Sequence, residues 1–194
     1  MIILPQEIKE RFFKTINGDI SIEEFEQWLY TDNDLENHLN SNDYLDLISL
    51  NFKKSGAKHE LWKLLKKHID LSEFETYKIL ELLREAQKKT DSLPFILMEF
   101  YDLYCRGYNF LQDLGLAIVI AINATADTWE ELTSQQQKEL LESLSPKLEE
   151  YIEEVINWIE TKKIILLGSP DEIQYYKYED LRFNKTQINI IRIN

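Results

Sequence analysis

The sequence predicts a mainly α protein: about eight helices in a single globular domain spanning 1–194. A helical body covers 1–160, and a small β appendage of short strands over 161–194 packs on it. Three observations lead there. Apolar residues recur at three- and four-residue spacing through most of the chain, the period of helices that bury one face. Glycine (5) and proline (4) are scarce in 194 residues, so few turns need special backbone geometry. The most apolar stretch is Gly107–Ala126, GYNFLQDLGLAIVIAINATA, in which the nine residues Leu114 to Ile122 carry no polar side chain. Nine is far short of the roughly 20 that span a bilayer. A run apolar on every side is expected in a core, as a central helix or a helix ending in a buried strand.

The elements follow in order. Pro5 to Ile16 is expected as a helix with Ile8, Phe12 and Phe13 on its apolar side, broken by Asn17-Gly18. Ser21-Ile-Glu-Glu24 has the form of a capping box, in which the serine oxygen takes a free amide and the glutamate reaches back. The helix it opens buries Phe25, Trp28 and Leu29. A short helix over Asp32–Leu39 and another over Asp43–Asn51 follow; the second could be a strand by its spacing, and the helix is preferred. Lys53 to Gly56 is a loop. Ala57 to Ile69 turns Leu61, Leu64, Leu65 and Ile69 inward and Lys63, Lys66 and Lys67 outward.

Ser72-Glu-Phe-Glu75 repeats the capping pattern and opens a helix to about Lys89, whose closing lysines suit the negative end of the helix dipole. Asp91-Ser-Leu-Pro94 starts the next, ended by Gly107. Beyond the central run, Thr128 and Ser134 head two further capping patterns. Ser145-Pro146 is expected as an N-cap and first helical residue. The helix after it turns Leu148, Tyr151, Ile152, Val155, Trp158 and Ile159 to one face and Glu149, Glu150, Glu153, Glu154 and Glu160 to the other. The period then shortens: Lys163–Leu167, Ile173–Tyr178 and Gln187–Ile193 are expected to supply two or three short strands, with a turn at Gly168–Asp171.

Charge narrows the partners. The chain carries 35 acidic and 22 basic residues, a net −13. Residues 1–50 hold 11 acids and 3 bases; residues 101–150 hold 9 and 3; only 51–100 is slightly positive, with 8 and 10. Nucleic acid and anionic membrane are disfavoured, since both are bound through lysine and arginine. A basic protein would be drawn in, and such steering raises association rates. The single cysteine, Cys105, cannot form an internal disulfide, and the N-terminus lacks the parts of a secretory signal, so a cytoplasmic location is expected.

No residue pattern marks a catalytic, metal or cofactor centre. Asn17 to Phe25 imitates the second half of a calcium-binding loop, but Phe13 and Thr15 stand where its opening acids belong. His59 and His68 are nine apart, outside the spacing of paired metal ligands. Cys105 has Arg106 beside it in sequence, but adjacent residues do not share a helix face, and it is expected as a buried thiol. No enzyme activity and no cofactor are expected. A binding surface is the alternative destination for unusual residues. Glu149, Glu150, Glu153 and Glu154 make an acidic helix face. Tyr175, Tyr176 and Tyr178 lie beside Glu172, aromatic rings rimmed by acid as at many protein interfaces. The competing reading of those tyrosines is a strand packed on the helices.

Two stretches resemble known proteins. One is Ile20-Ser-Ile-Glu-Glu-Phe-Glu-Gln-Trp-Leu-Tyr30 with Leu35-Glu36, Tyr44–Ser49 and Glu60–Ile69. The other is Trp158-Ile-Glu-Thr-Lys-Lys-Ile-Ile-Leu-Leu-Gly168 with Tyr178–Arg182. Together they resemble small acidic bacterial proteins akin to the immunity proteins of polymorphic toxin systems. The resemblance implies a non-enzymatic protein that neutralises a cognate toxin, a basic one on the charge argument, by direct binding. A helical adaptor or regulatory scaffold with another partner is the alternative.

Overall fold

In the computed structural model, residues 4–32, 34–168 and 176–182 are described. Among them lie ten α-helices, nine of them with seven residues or more, and a two-stranded antiparallel sheet near the C-terminus. The mainly α expectation holds. The chain groups into two compact units, Met1–Phe74 and Glu75–Asn194, whose boundary falls inside a helix.

The first unit holds α1 (Gln6–Asn17), α2 (Ile22–Thr31), α3 (Leu35–His38), α4 (Ser41–Ile48) and α5 (Ala57–Lys66), with the first turn of α6 (Leu71–Gln87). Its core is Phe12, Phe25, Leu29, Leu35, Leu47, Leu61 and Leu65, all essentially without exposure. The Phe25 ring lies 6.1 Å from Phe12 and 5.3 Å from Trp28, at the tilted angles aromatic pairs favour. Gly18 ends α1 in the left-handed conformation, donating to the Lys14 carbonyl at 3.0 Å. The capping box opens α2 as expected: the Glu24 amide donates to Ser21 Oγ at 3.1 Å and the Ser21 amide to Glu24 Oε2 at 2.8 Å. The segment that imitates a calcium loop is thus a helix end followed by a capped helix start.

His68 is the most enclosed histidine, with Nε2 3.4 Å from Asp43 Oδ2. Burial lowers its pKa, against the pull of Asp43. The unfolded chain therefore takes up this proton at a higher pH than the folded one. Stability from this group is intact above the unfolded value near about 6.5 and is lost as pH falls below it. Urea titrations between about pH 7 and pH 5 are expected to show unit 1 weakening, with a shallower loss in His68→Gln. An equal slope in both would contradict this.

The second unit contains the rest of α6, α7 (Leu93–Cys105), a 3₁₀ turn (Asn109–Leu111), α8 (Gln112–Asn123), a second 3₁₀ turn (Trp129–Glu131), α9 (Ser134–Leu144) and α10 (Lys147–Glu160). The strands are β1 (Ile164–Leu166) and β2 (Tyr178–Asp180), with Ile164 opposite Asp180 and Leu166 opposite Tyr178. Ile79, Leu83, Leu97, Phe100, Tyr108, Leu111, Leu114, Ile118 and Val155 form the centre of its core. The helix pair α7–α8 is its backbone. A Cβ on Gly115 would lie 2.5 Å from both the Cα and the amide nitrogen of Tyr101, so the glycine sets how closely these helices approach.

Several expectations shift. The helix expected to start at the Ser72 box starts at Leu71, and Asp70 caps it, Oδ1 accepting from the Ser72 amide at 2.7 Å. The reciprocal box before α9 is Thr133 with Gln136, one residue earlier than expected. Thr128 opens only a 3₁₀ turn, without a side-chain cap. Ser145, expected at an N-cap, closes α9 instead, and Pro146 stands before α10. Cys105 is exposed, since α7 buries the side bearing Ile96, Phe100 and Leu103. The central run is a 3₁₀ turn and a helix with no strand, and it is not buried all round: Leu114, Gly115, Ile118 and Ile122 face inward, while Ile120 is 64% exposed. The strand expected over Gln187–Ile193 and the first half of that over Ile173–Tyr178 lie outside the described residues.

Candidate functional site

Helix α10 has the strongest amphipathic pattern of the chain. Leu148, Ile152, Val155 and Ile159 recur at four-, three- and four-residue spacing and are buried. The same period sends Glu150, Glu153, Glu154, Asn157 and Glu160 outward as one stripe. Glu160 accepts from Arg84 Nη2 at 3.2 Å. Among the described residues no ion pair involves Glu150, Glu153 or Glu154. These three carboxylates stand on two successive turns. Glu149 belongs elsewhere. It is half-buried and pairs with Lys89, whose ammonium holds its carboxyl below the usual range, with the Ser145 hydroxyl adding to the effect.

The tyrosines divide differently. Glu172 and Tyr175 lie outside the described residues. Tyr176 and Tyr178 turn inward, as the strand-packing reading has it. The Tyr176 ring stacks on Tyr108 at 4.7 Å, and the Arg106 guanidinium lies 4.6 Å from its centroid on a cation–π contact. Its amide donates to the Arg106 carbonyl at 2.8 Å. Gly107, at φ +120°, leaves the room: a Cβ there would meet the Tyr176 carbonyl oxygen at 2.7 Å. Tyr178 sets its edge against Phe110 at 5.1 Å. Beneath them is the one buried carboxylate among the described residues, Glu75, 3.2 Å from Lys78 Nζ and 3.5 Å from the Tyr108 hydroxyl. Burial first, and then the Glu75 charge, push the Tyr108 hydroxyl well above the ordinary tyrosine range, so it stays protonated and can donate. This cluster fastens the chain leading into β2 to the α7–α8 connection. At the other end of β2, Arg182 grips Asp180 through Nε at 2.9 Å and Nη2 at 2.6 Å, and its guanidinium lies 4.2 Å from the Trp158 ring centroid on α10.

Surface hollows lie in both units among the described residues. In unit 1, one of about 610 Å³ is lined by Lys54, Lys63 and Lys67 around Leu50 and Leu64. In unit 2, one of about 650 Å³ lies by Lys89, Trp129 and Glu149, and one of about 320 Å³ is walled by Leu114, Ala117, Leu144, Leu148 and Tyr151. Among the described residues no three histidine, cysteine or acidic side chains are placed to share a metal ion, and no helix is long and apolar enough to cross a membrane. Of the residues singled out from sequence, then, Glu150, Glu153 and Glu154 share one exposed surface, Glu149 is engaged beside it, and Tyr176 and Tyr178 belong to the packing. No family model, curated protein or solved structure matches the chain.

Proposed function

We propose that this is a non-enzymatic binding protein that docks a basic protein partner, and that the partner is a cognate toxin which it neutralises as an immunity protein does. The stripe Glu150, Glu153, Glu154 on α10 carries the reading. Three exposed carboxylates, without an ion pair among the described residues, on a helix held by four buried side chains form a fixed negative surface. Such a surface attracts a basic protein over a Debye length and orients its approach. The chain's net −13 extends the same field. A toxin that degrades or binds nucleic acid needs a positive active surface, which is the complement of this one. The toxin assignment comes from the resemblance carried by Ile20–Tyr30 and Trp158–Gly168. The adaptor alternative shares the binding surface and differs only in the partner.

Rescue separates the two. Cells expressing the product of the adjacent reading frame are expected to stop growing, and co-expression of this protein is expected to restore growth. Growth arrest that this protein fails to relieve contradicts the toxin assignment.

A further inference from the structure

Helices α7 and α8 leave an apolar surface uncovered. Gly115 lies against Phe100 and Tyr101, which fixes the level at which the two helices meet. They run in opposite directions around the turn at Asn109–Leu111, so a rise of about 1.5 Å per residue brings Ile120 level with Phe95 and Leu116 level with Glu99. Phe95 is 52% exposed and Ile120 64%. Met98, Tyr101, Leu116 and Val119 are half-buried between them. Singly exposed apolar residues are ordinary, but a continuous apolar surface across a rigid helix pair marks a contact site.

Charge says what covers it. Neither α7 nor α8 contains a lysine or arginine; their charged residues are Glu99, Asp102 and Asp113, all exposed. A second copy of this chain would bring these acids against their own equivalents, and an anionic membrane would meet the same repulsion. We infer that the α7–α8 surface seats an amphipathic helix of a basic partner, its apolar side on Met98, Leu116 and Ile120 and its lysines or arginines against Glu99 and Asp102. This rests on the binding reading above and adds the contact that slows dissociation, which surface charge alone supplies poorly.

The probe is a synthetic helix with leucine on one side and lysine on the other, titrated into the full chain with methyl NMR and fluorescence anisotropy as readouts. The same helix with glutamate for lysine is the control. The lysine helix is expected to bind and to shift the Ile120, Leu116 and Met98 methyl signals, and the glutamate helix to bind far more weakly. Ile120→Asp is expected to weaken binding about tenfold or more, although it adds negative charge. Unchanged or tighter binding in Ile120→Asp, or equal binding of both helices, overturns the assignment. So does a dimer in sedimentation equilibrium that Ile120→Asp dissolves. If the lysine helix fails here while the adjacent-frame product still binds, this surface is wrong and the binding function stands. If the helix binds here and that product does not bind at all, the toxin reading fails alone.

Discussion

Gly115→Ala is expected to destabilise the second unit by about 3 kcal/mol, lowering its melting temperature by on the order of 10 °C. The sign is the informative part. Elsewhere in a helix interior, replacing glycine with alanine stabilises by about 1 kcal/mol, because alanine restricts the unfolded chain and favours the helix. Here the new methyl would sit 2.5 Å from two backbone atoms of Tyr101 and 2.9 Å from the carbonyl carbon of Phe100. Backbone cannot rotate aside as a side chain can, so α7 and α8 must part. Parting them loosens Phe100, Leu111, Leu114 and Ile118, which lie at the centre of the unit. Thermal unfolding followed by circular dichroism measures it. A melting temperature unchanged or raised would mean the two helices are not packed this closely.

Reversing Glu150, Glu153 and Glu154 to lysine is expected to leave stability within about 0.5 kcal/mol, since these side chains are exposed and hold no ion pair among the described residues. The same change is expected to slow association with the adjacent-frame product by roughly ten- to a hundredfold at low salt, with the difference shrinking as salt rises. Reversing Glu149 is the contrast: it breaks the pair with Lys89 and acts on folding more than on encounter. Stopped-flow kinetics across ionic strength reads both. Equal rates for the wild-type and reversed proteins at low salt would remove α10 from the contact.

Much of this architecture was legible beforehand because it depends on local signals. The apolar period of α10 and the serine–glutamate pairing at Ser21 act within a few residues, and both appear in the structure as the sequence implies. Caps were misassigned by a residue or two where several candidates stand together: Asp70 beside Ser72, and Thr133 beside Ser134. Each can supply an oxygen, and the backbone entering the helix decides which one does. The central run was the harder case. When every residue from Leu114 to Ile122 is apolar, periodicity carries no information about which side faces solvent, so Ile120 reads as core from sequence. The tyrosines failed for a related reason. Alternation places Tyr176 and Tyr178 on one side of the segment, but only Gly107 and Tyr108, some seventy residues away, determine that this side is covered. The acidic stripe was legible because it is the other half of a clear pattern, except that the partner of Glu149 is remote in sequence.

The most direct measurement is the association of the purified protein with the purified product of the adjacent reading frame, followed at increasing ionic strength. A one-to-one complex whose association rate falls steeply with salt, while dissociation changes little, is the expected result. No complex, or an association rate indifferent to salt, would contradict the claim that this protein works by presenting a fixed negative helical surface to a basic partner.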